Sequence, residues 1–215
     1  MNIRDAENTK NTETSDSNGA TREASVNRKT NETDITIRLK IDGNGISVID
    51  SGNGFFDHML TLFTRHGLFD LSLTCKGDTH VDFHHSAEDI GISLGQAFAQ
   101  ALGDCKGIIR YGTRYCPMDE SLARVCLDMA GRPNLIYDVS LTDRTINDFE
   151  CDLVEDFFKA FTDNARSTVH VDLLRGRKSH HSIEAIFKAF GKALCEACTI
   201  NPRAADTVPS TKGLL

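Results

Sequence analysis

The chain has 215 residues, with 24 Lys and Arg against 31 Asp and Glu, so its net charge is −7 and polyanions such as duplex nucleic acid are not its expected partners. Apolar residues make up 40% of it, and no stretch approaches the roughly 18 uncharged apolar residues of a membrane helix, which excludes membrane-spanning and fibrous classes. Seven Cys are scattered, with a single Cys-x-x-Cys at Cys195-Glu196-Ala197-Cys198 on the apolar face of the last helix and no second pair to complete a zinc ribbon. They read as reduced packing thiols of a cytoplasmic protein rather than a disulfide framework.

In chain order, residues 1 to about 30 are rich in Asn, Thr, Ser and Glu and hold no aromatic side chain. They read as a disordered polar tail, bounded at residue 27, because so little apolar surface cannot offset the entropy of ordering. The acids Asp5, Glu7, Glu13, Asp16 and Glu23 fit neither a secretory signal nor a transit peptide. Residues 34–41 alternate as a strand, Asp42-Gly43-Asn44-Gly45 makes a turn, and a second strand runs through Ile49, which predicts a hairpin. An amphipathic helix over 55–65, a strand over 69–75 and a long helix over 84–102 complete the order β-β-α-β-α.

The second half repeats this order. Strands are predicted at 122–129 and 135–141 around Gly131-Arg132-Pro133, then a helix at 153–163, a strand at 168–174 and a helix at 180–198. Residues 57–64 and 155–162 both end in Phe-Thr, offset by 98, and His84-His85-Ser86-Ala87-Glu88 recurs as His180-His181-Ser182-Ile183-Glu184, offset by 96. An internal duplication is the economical reading, with repeats of about 30–105 and 106–200 whose helix layers bury their faces together.

The doubled His-His-Ser-x-Glu carries the chemistry. Adjacent helical residues point about 100° apart, so neighbouring His side chains serve different ions, while the Glu shares a face with either. Adding His58 and His170 gives six imidazoles and two carboxylates, enough for two sites of three His and one Glu; spacing alone leaves open which His goes with which Glu. Such thiolate-free sets suit divalent Mn, Fe, Co, Ni or Zn, with coordination positions left for substrate or water. His80 reads as an exposed turn residue outside the set.

These residues resemble the imidazoleglycerol-phosphate dehydratase family of histidine biosynthesis. The resemblance runs over 28–215. It covers Thr30-Asn31-Glu32-Thr33, Gly54-Phe55-Phe56-Asp57-His58-Met59-Leu60, both His-His segments, Pro117-Met118-Asp119-Glu120, Gly131-Arg132-Pro133, Glu184-Ala185-Ile186-Phe187-Lys188 and Pro209-Ser210-Thr211-Lys212-Gly213. It implies an α+β fold of the ribosomal protein S5 domain 2-like type, in which duplicated β-β-α-β-α half-domains place a helix layer on mainly antiparallel four-stranded sheets. It also implies two Mn²⁺ per active site and a homo-oligomer of 24 subunits with sites at subunit interfaces. One metal would be held by His58, His85, Glu88 and His180, the other by His84, His170, His181 and Glu184.

The implied reaction is dehydration of D-erythro-imidazoleglycerol phosphate to imidazole-acetol phosphate. Its difficulty is a carbon-bound proton with no neighbouring carbonyl; metal polarisation of the imidazole toward imidazolate, and a diazafulvene-type intermediate, would make it acidic. Glu32 matches the family's proton-moving carboxylate, with Glu184 and Asp119 also in the catalytic set. Glu32, His58, His66, His84 and Glu88 would line the substrate, and Arg110, Arg132, Lys188, Ser210 and Lys212, the last two in a C-terminal tail, would hold its phosphate. His66 is equally suited to capping its helix dipole. Two rival classes are a dinuclear metallohydrolase, whose ligand order does not match, and a non-catalytic metal-binding shell protein, which would not need the phosphate cations.

Overall fold

A computed structural model describes residues 21–214. The first 20 residues of the expected tail, and Leu215, lie outside the described residues. The first half comprises β1 (Glu23–Lys29), β2 (Thr33–Lys40), β3 (Ser47–Asp50), α1 (Gly54–Gly67), β4 (Asp70–Gly77) and α2 (His84–Leu102). The second comprises β5 (Tyr111–Met118), β6 (Ser121–Asp128), β7 (Asn134–Asp138), α3 (Leu153–Ala165), β10 (Thr168–Arg175) and α4 (Ser179–Cys198), with a small hairpin of β8 (Thr145–Ile146) and β9 (Phe149–Glu150) inserted before α3. The strand orders β1-β2-β4-β3 and β5-β6-β10-β7 match. Each sheet has two antiparallel pairings and one parallel pairing, β3 with β4 and β7 with β10.

The duplicated unit is therefore β-β-β-α-β-α, one strand longer than expected from the sequence. Both missed strands are edge strands with weak apolar signals. In β1 only Val26 is buried, so residues 23–29 read as tail although they pair with β2 from Glu23↔Lys40 to Lys29↔Asp34. In β5 the buried positions are Gly112 and Cys116, and a Cβ on Gly112 would meet Ala193 O at 1.9 Å. The predicted hairpin around residues 42–45 is also corrected: β2 turns back on β1, and the 42–45 segment crosses to the far edge, where β3 lies parallel to β4. The Asp70 carboxylate fixes that crossing by accepting from Asn44 N at 2.7 Å and Ile46 N at 3.1 Å.

The four helices form the centre, with one sheet on either side. α2 packs on β1 and β2, α4 packs on β5 and β6, and across the middle α1 pairs with α4 and α2 with α3. Ten of the 12 Phe side chains are under 2% exposed and meet in this layer. Phe63 stacks on Phe190 at 5.2 Å and Phe157 on Phe187 at 5.6 Å. At about 2 kcal/mol for each buried aromatic, this layer outweighs any surface ion pair in fixing the helices. Glycines allow the close crossings: a Cβ on Gly191 would meet Phe63 O at 2.4 Å, and one on Gly95 would meet Phe161 O at 2.6 Å. Among the described residues, no helix is long and apolar enough to cross a membrane.

All four helices begin at the same end of the molecule. Asn53 caps α1 by accepting from Phe55 N and Phe56 N, and its amide donates to Asp148 in the β8–β9 turn. The Phe149 ring beside it touches Phe55, Phe56 and Phe83, the last at the start of α2, while Phe55 meets His180 at the start of α4. At that end lie His58, both His-His pairs and both motif Glu residues.

Candidate metal centre and phosphate cleft

The first turns of α1 and α4 bring three donors together. Nε2 of His58 lies 3.8 Å, and Nε2 of His180 3.5 Å, from Oε2 of Glu184. Ligand atoms of all three residues fall within 4.8 Å of one another. Glu184 is 7% exposed, and its other oxygen accepts from Lys188 Nζ at 2.6 Å. Burial pushes its carboxyl up, but the hydrogen bond and charge of Lys188, with His58 and His180, more than offset that and hold it below the usual carboxylate range. Two imidazoles and an ionised carboxylate, two of the three solvent-facing, fit a divalent cation with open coordination positions.

The duplication reproduces this cluster in altered form. His84 and Glu88 on α2 stand where His180 and Glu184 stand on α4, and Asp156 on α3 stands where His58 stands on α1. His84 Nε2 is 3.9 Å from Glu88 Oε2, and its Nδ1 is 3.4 Å from Asp156 Oδ2. The second His of each pair points elsewhere. His85 has Nδ1 3.1 Å from both Asp78 oxygens and Nε2 3.8 Å from Glu32 Oε1. The Asp78 hydrogen bond raises its pKa. His181 has Nδ1 2.8 Å from Glu120 Oε2. That bond and the turn's own backbone amides hold the Glu120 carboxyl down to about 2.

Within the chain Glu184 lies beside His58 and His180, and Glu88 beside His84, because residues four apart stack on one helix face more closely than residues three apart. His170 does not join His181 in the chain: it is exposed on the outer face of its sheet, between the inward Val169 and Val171. Glu120, not Asp119, is the carboxylate hydrogen-bonded to His181; Asp119, at φ 48°, stays 3.8 Å away and exposed. The His-His spacing gave no signal of Glu120, Asp78 or Asp156.

The expected phosphate residues collect at the other end of the helices. Arg110, Arg132, Ser210 and Lys212 line a cleft of about 900 Å³, together with Arg166. Arg166 was missed because a single Arg after a helix has no pattern; it ends α3 in a left-handed conformation at φ 54°. Arg110 is already committed. Its Nε and Nη2 donate to Asp128 at 2.6 and 3.0 Å, and its Nη1 donates to Pro209 O at 2.8 Å, so it ties down the C-terminal segment. Among the described residues Arg132, Arg166 and Lys212 form no ion pair, and they supply the cleft's uncompensated charge. Of the expected phosphate residues Lys188 falls outside this cleft, as does His66, which was expected to line the substrate. Lys188 is held by Glu184 and Met118. His66 lines a neighbouring groove with Lys192 and Arg114, where burial, then the charges of Lys188 and Lys192, push its pKa down and keep the imidazole neutral.

The two ends lie far apart. Arg110 N donates to Ala197 O near the end of α4. Seventeen residues separate Ala197 from His180, which at 1.5 Å per residue is about 25 Å.

Paired imidazole–carboxylate clusters at one end and a basic cleft at the other, on a duplicated scaffold, define a class of α+β protein with a candidate metal centre and a separate candidate anion cleft. Comparison with known proteins narrows the class. Residues 51–194 match the model of the imidazoleglycerol-phosphate dehydratase family. The chain is 53% identical over 196 residues to the imidazoleglycerol-phosphate dehydratase of Methylobacillus flagellatus, covering 91% of this chain and 99% of the relative. It is 53% identical over 194 residues to that of Aminomonas aminovorus, covering 90% and 100%. Among solved structures, the Staphylococcus aureus dehydratase superposes with a TM-score of 0.76 at 45% identity, covering 83% of this chain and 99% of that one. The Pyrococcus furiosus protein gives 0.77 at 33% identity, covering 88% and 100%. The chain belongs to the imidazoleglycerol-phosphate dehydratase family, hydro-lyases of histidine biosynthesis.

Proposed function

We propose that this chain dehydrates imidazoleglycerol phosphate at two divalent ions, Mn²⁺ by family resemblance, in active sites completed between subunits of a homo-oligomer of 24 chains in the cytoplasm. The observation that carries the shared site is the separation of about 25 Å along α4 between the imidazole end and the phosphate cleft. Three carbons join the ring and phosphate of the substrate, a span much shorter than that separation, which supports a site completed by a neighbouring subunit's cleft facing the helix starts.

The donors His58, His180 and Glu184, and His84 with Glu88, would hold the ions, and His85, His181 and His170 stand ready to complete the sets from adjoining chains. Bound there, the ions supply Lewis acidity to polarise the substrate imidazole. The chain's own residues do the rest. Arg132, Arg166 and Lys212, with the Ser210 hydroxyl, anchor the phosphate, and Arg110 keeps the 209–212 segment in place. Glu32 takes the proton from the carbon next to the one that loses its hydroxyl. Its carboxylate is exposed and 3.8 Å from His85 Nε2. Its backbone is fixed, with Glu32 N donating to Thr30 Oγ1 at 3.1 Å and Glu32 O accepting from Asp78 N at 3.0 Å.

The test follows formation of imidazole-acetol phosphate by Mn²⁺-loaded protein, then mixes two impaired variants, assayed with substrate well below its KM. Glu32→Gln disables the imidazole end and Lys212→Ala the phosphate end. Dissociated, combined and reassembled, they should regain part of the activity, because some sites pair an intact end from each variant. No recovery in mixed oligomers would place both ends in one chain and refute the shared site.

A further inference from the structure

Three imidazoles at the helix starts share an arrangement that the ligand assignments do not explain: each presents Nδ1 to a carboxylate. His85 shares a hydrogen bond with Asp78 at 3.1 Å and His181 with Glu120 at 2.8 Å, while His84 lies 3.4 Å from Asp156 without a hydrogen bond. The acids come from three separate places, the segment after β4, the β5–β6 turn and the first turn of α3. In His84 and His85 the Nε2 atoms are left pointing at Glu88 and Glu32. A neutral imidazole has one N–H and one lone pair, and whichever nitrogen is hydrogen-bonded to a carboxylate keeps the proton.

We infer that Asp78 and Glu120 are positioning residues that hold His85 and His181 in the Nδ1–H tautomer, with Nε2 turned to the metal. The inference rests on the metal reading proposed above and adds two residues to it. An outer carboxylate both fixes the ring and makes Nε2 a better donor, and losing one typically costs about 10–100-fold in metal affinity.

The duplication separates this role from the neighbouring one. Glu32 immediately precedes β2 and Glu120 immediately precedes β6, so the two occupy equivalent turns of the two halves. Glu32 lies on the Nε2 side of its histidine, where substrate and metal would be. Glu120 lies on the Nδ1 side of its own, facing away from the lone pair. One carboxylate of the pair is therefore placed to move a proton and the other to keep one.

The experiment titrates Mn²⁺ into metal-free protein, reading free ion by electron paramagnetic resonance, for wild type, Glu120→Gln, Glu120→Ala, Asp78→Asn and Asp78→Ala. Asp104→Asn, beyond the opposite end of α2, serves as control. The Ala variants should bind Mn²⁺ about 10–100-fold more weakly, and the amide variants should recover much of that loss because their carbonyl still accepts the Nδ1 proton. kcat should return at saturating Mn²⁺. Where an Ala variant does not fold, its amide counterpart against the control still reads the effect. Affinities equal to wild type in all four, or a kcat deficit that excess Mn²⁺ leaves untouched, would overturn the positioning role. Wild-type protein that takes up no Mn²⁺ would instead overturn the metal reading itself.

Discussion

Lys188 Nζ lies 2.6 Å from Glu184 Oε1, one turn along α4, while the opposite oxygen of the same carboxylate faces His58 and His180. The ammonium thus stabilises the ionised form of a buried acid that would otherwise rise in pKa. Replacing Lys188 by Met leaves burial in control, so Glu184 protonates at higher pH. Because metal needs the ionised carboxylate, the acid edge of Mn²⁺ loading should move upward in pH. Metal content measured against pH checks this, and an unmoved edge in Lys188→Met would show that Glu184 takes no part in binding.

At the other end of the helices, Arg166 has the same free charge as Arg132 and Lys212. Arg166→Ala and Lys212→Ala should each weaken substrate binding by about 1.5–3 kcal/mol, the scale of a charge-assisted hydrogen bond, with metal content unchanged. The readout is KM together with bound Mn²⁺. Arg110→Ala should act differently, releasing residues 209–213, which faster amide exchange there would reveal.

Glu32→Gln keeps size and hydrogen-bonding capacity but removes the base. Its kcat should fall by about 10²–10⁴ while Mn²⁺ stoichiometry and substrate affinity persist. A variant with near wild-type kcat would move the proton to another carboxylate or to a bound water.

The helix crossings are tight enough to register a single methyl group. Gly191→Ala and Gly95→Ala should each cost about 1–3 kcal/mol through overpacking, seen as a lower Tm. Gly191→Ala should also part α1 from α4 and weaken the His58–His180–Glu184 cluster. Gly95→Ala should spare that cluster and disturb His84 against Asp156 instead. Equal Mn²⁺ loss in the two variants would contradict this division.

Strong periodicity made the long elements legible. α2 was placed at its observed bounds because Ile90, Leu94, Phe98 and Ala101 form one apolar face, and the His-His-Ser-x-Glu repeat exposed the duplication directly. What stayed hidden depends on partners distant in sequence. β1 looks polar because an edge strand needs only Val26 inside and spends Arg28 on an ion pair with Asp89. The pairing of each Glu with its own His could not be read from spacing, since both three and four residues are compatible with one helix face. Asp156 could have been found only by aligning the two halves and asking what replaces His58.

The cross-pairing of helices also bears on how the chain is made. α1 rests on α4 and α2 on α3, so neither half can cover its own aromatic face. A nascent chain emerging from the ribosome with only its first 105 residues would expose Phe56, Phe63 and Phe98 until the last helix is synthesised. Folding must wait for nearly the whole polypeptide, leaving an interval in which chaperones compete with aggregation. The same interlock means that the halves, made as separate polypeptides, should each be insoluble alone and assemble when produced together.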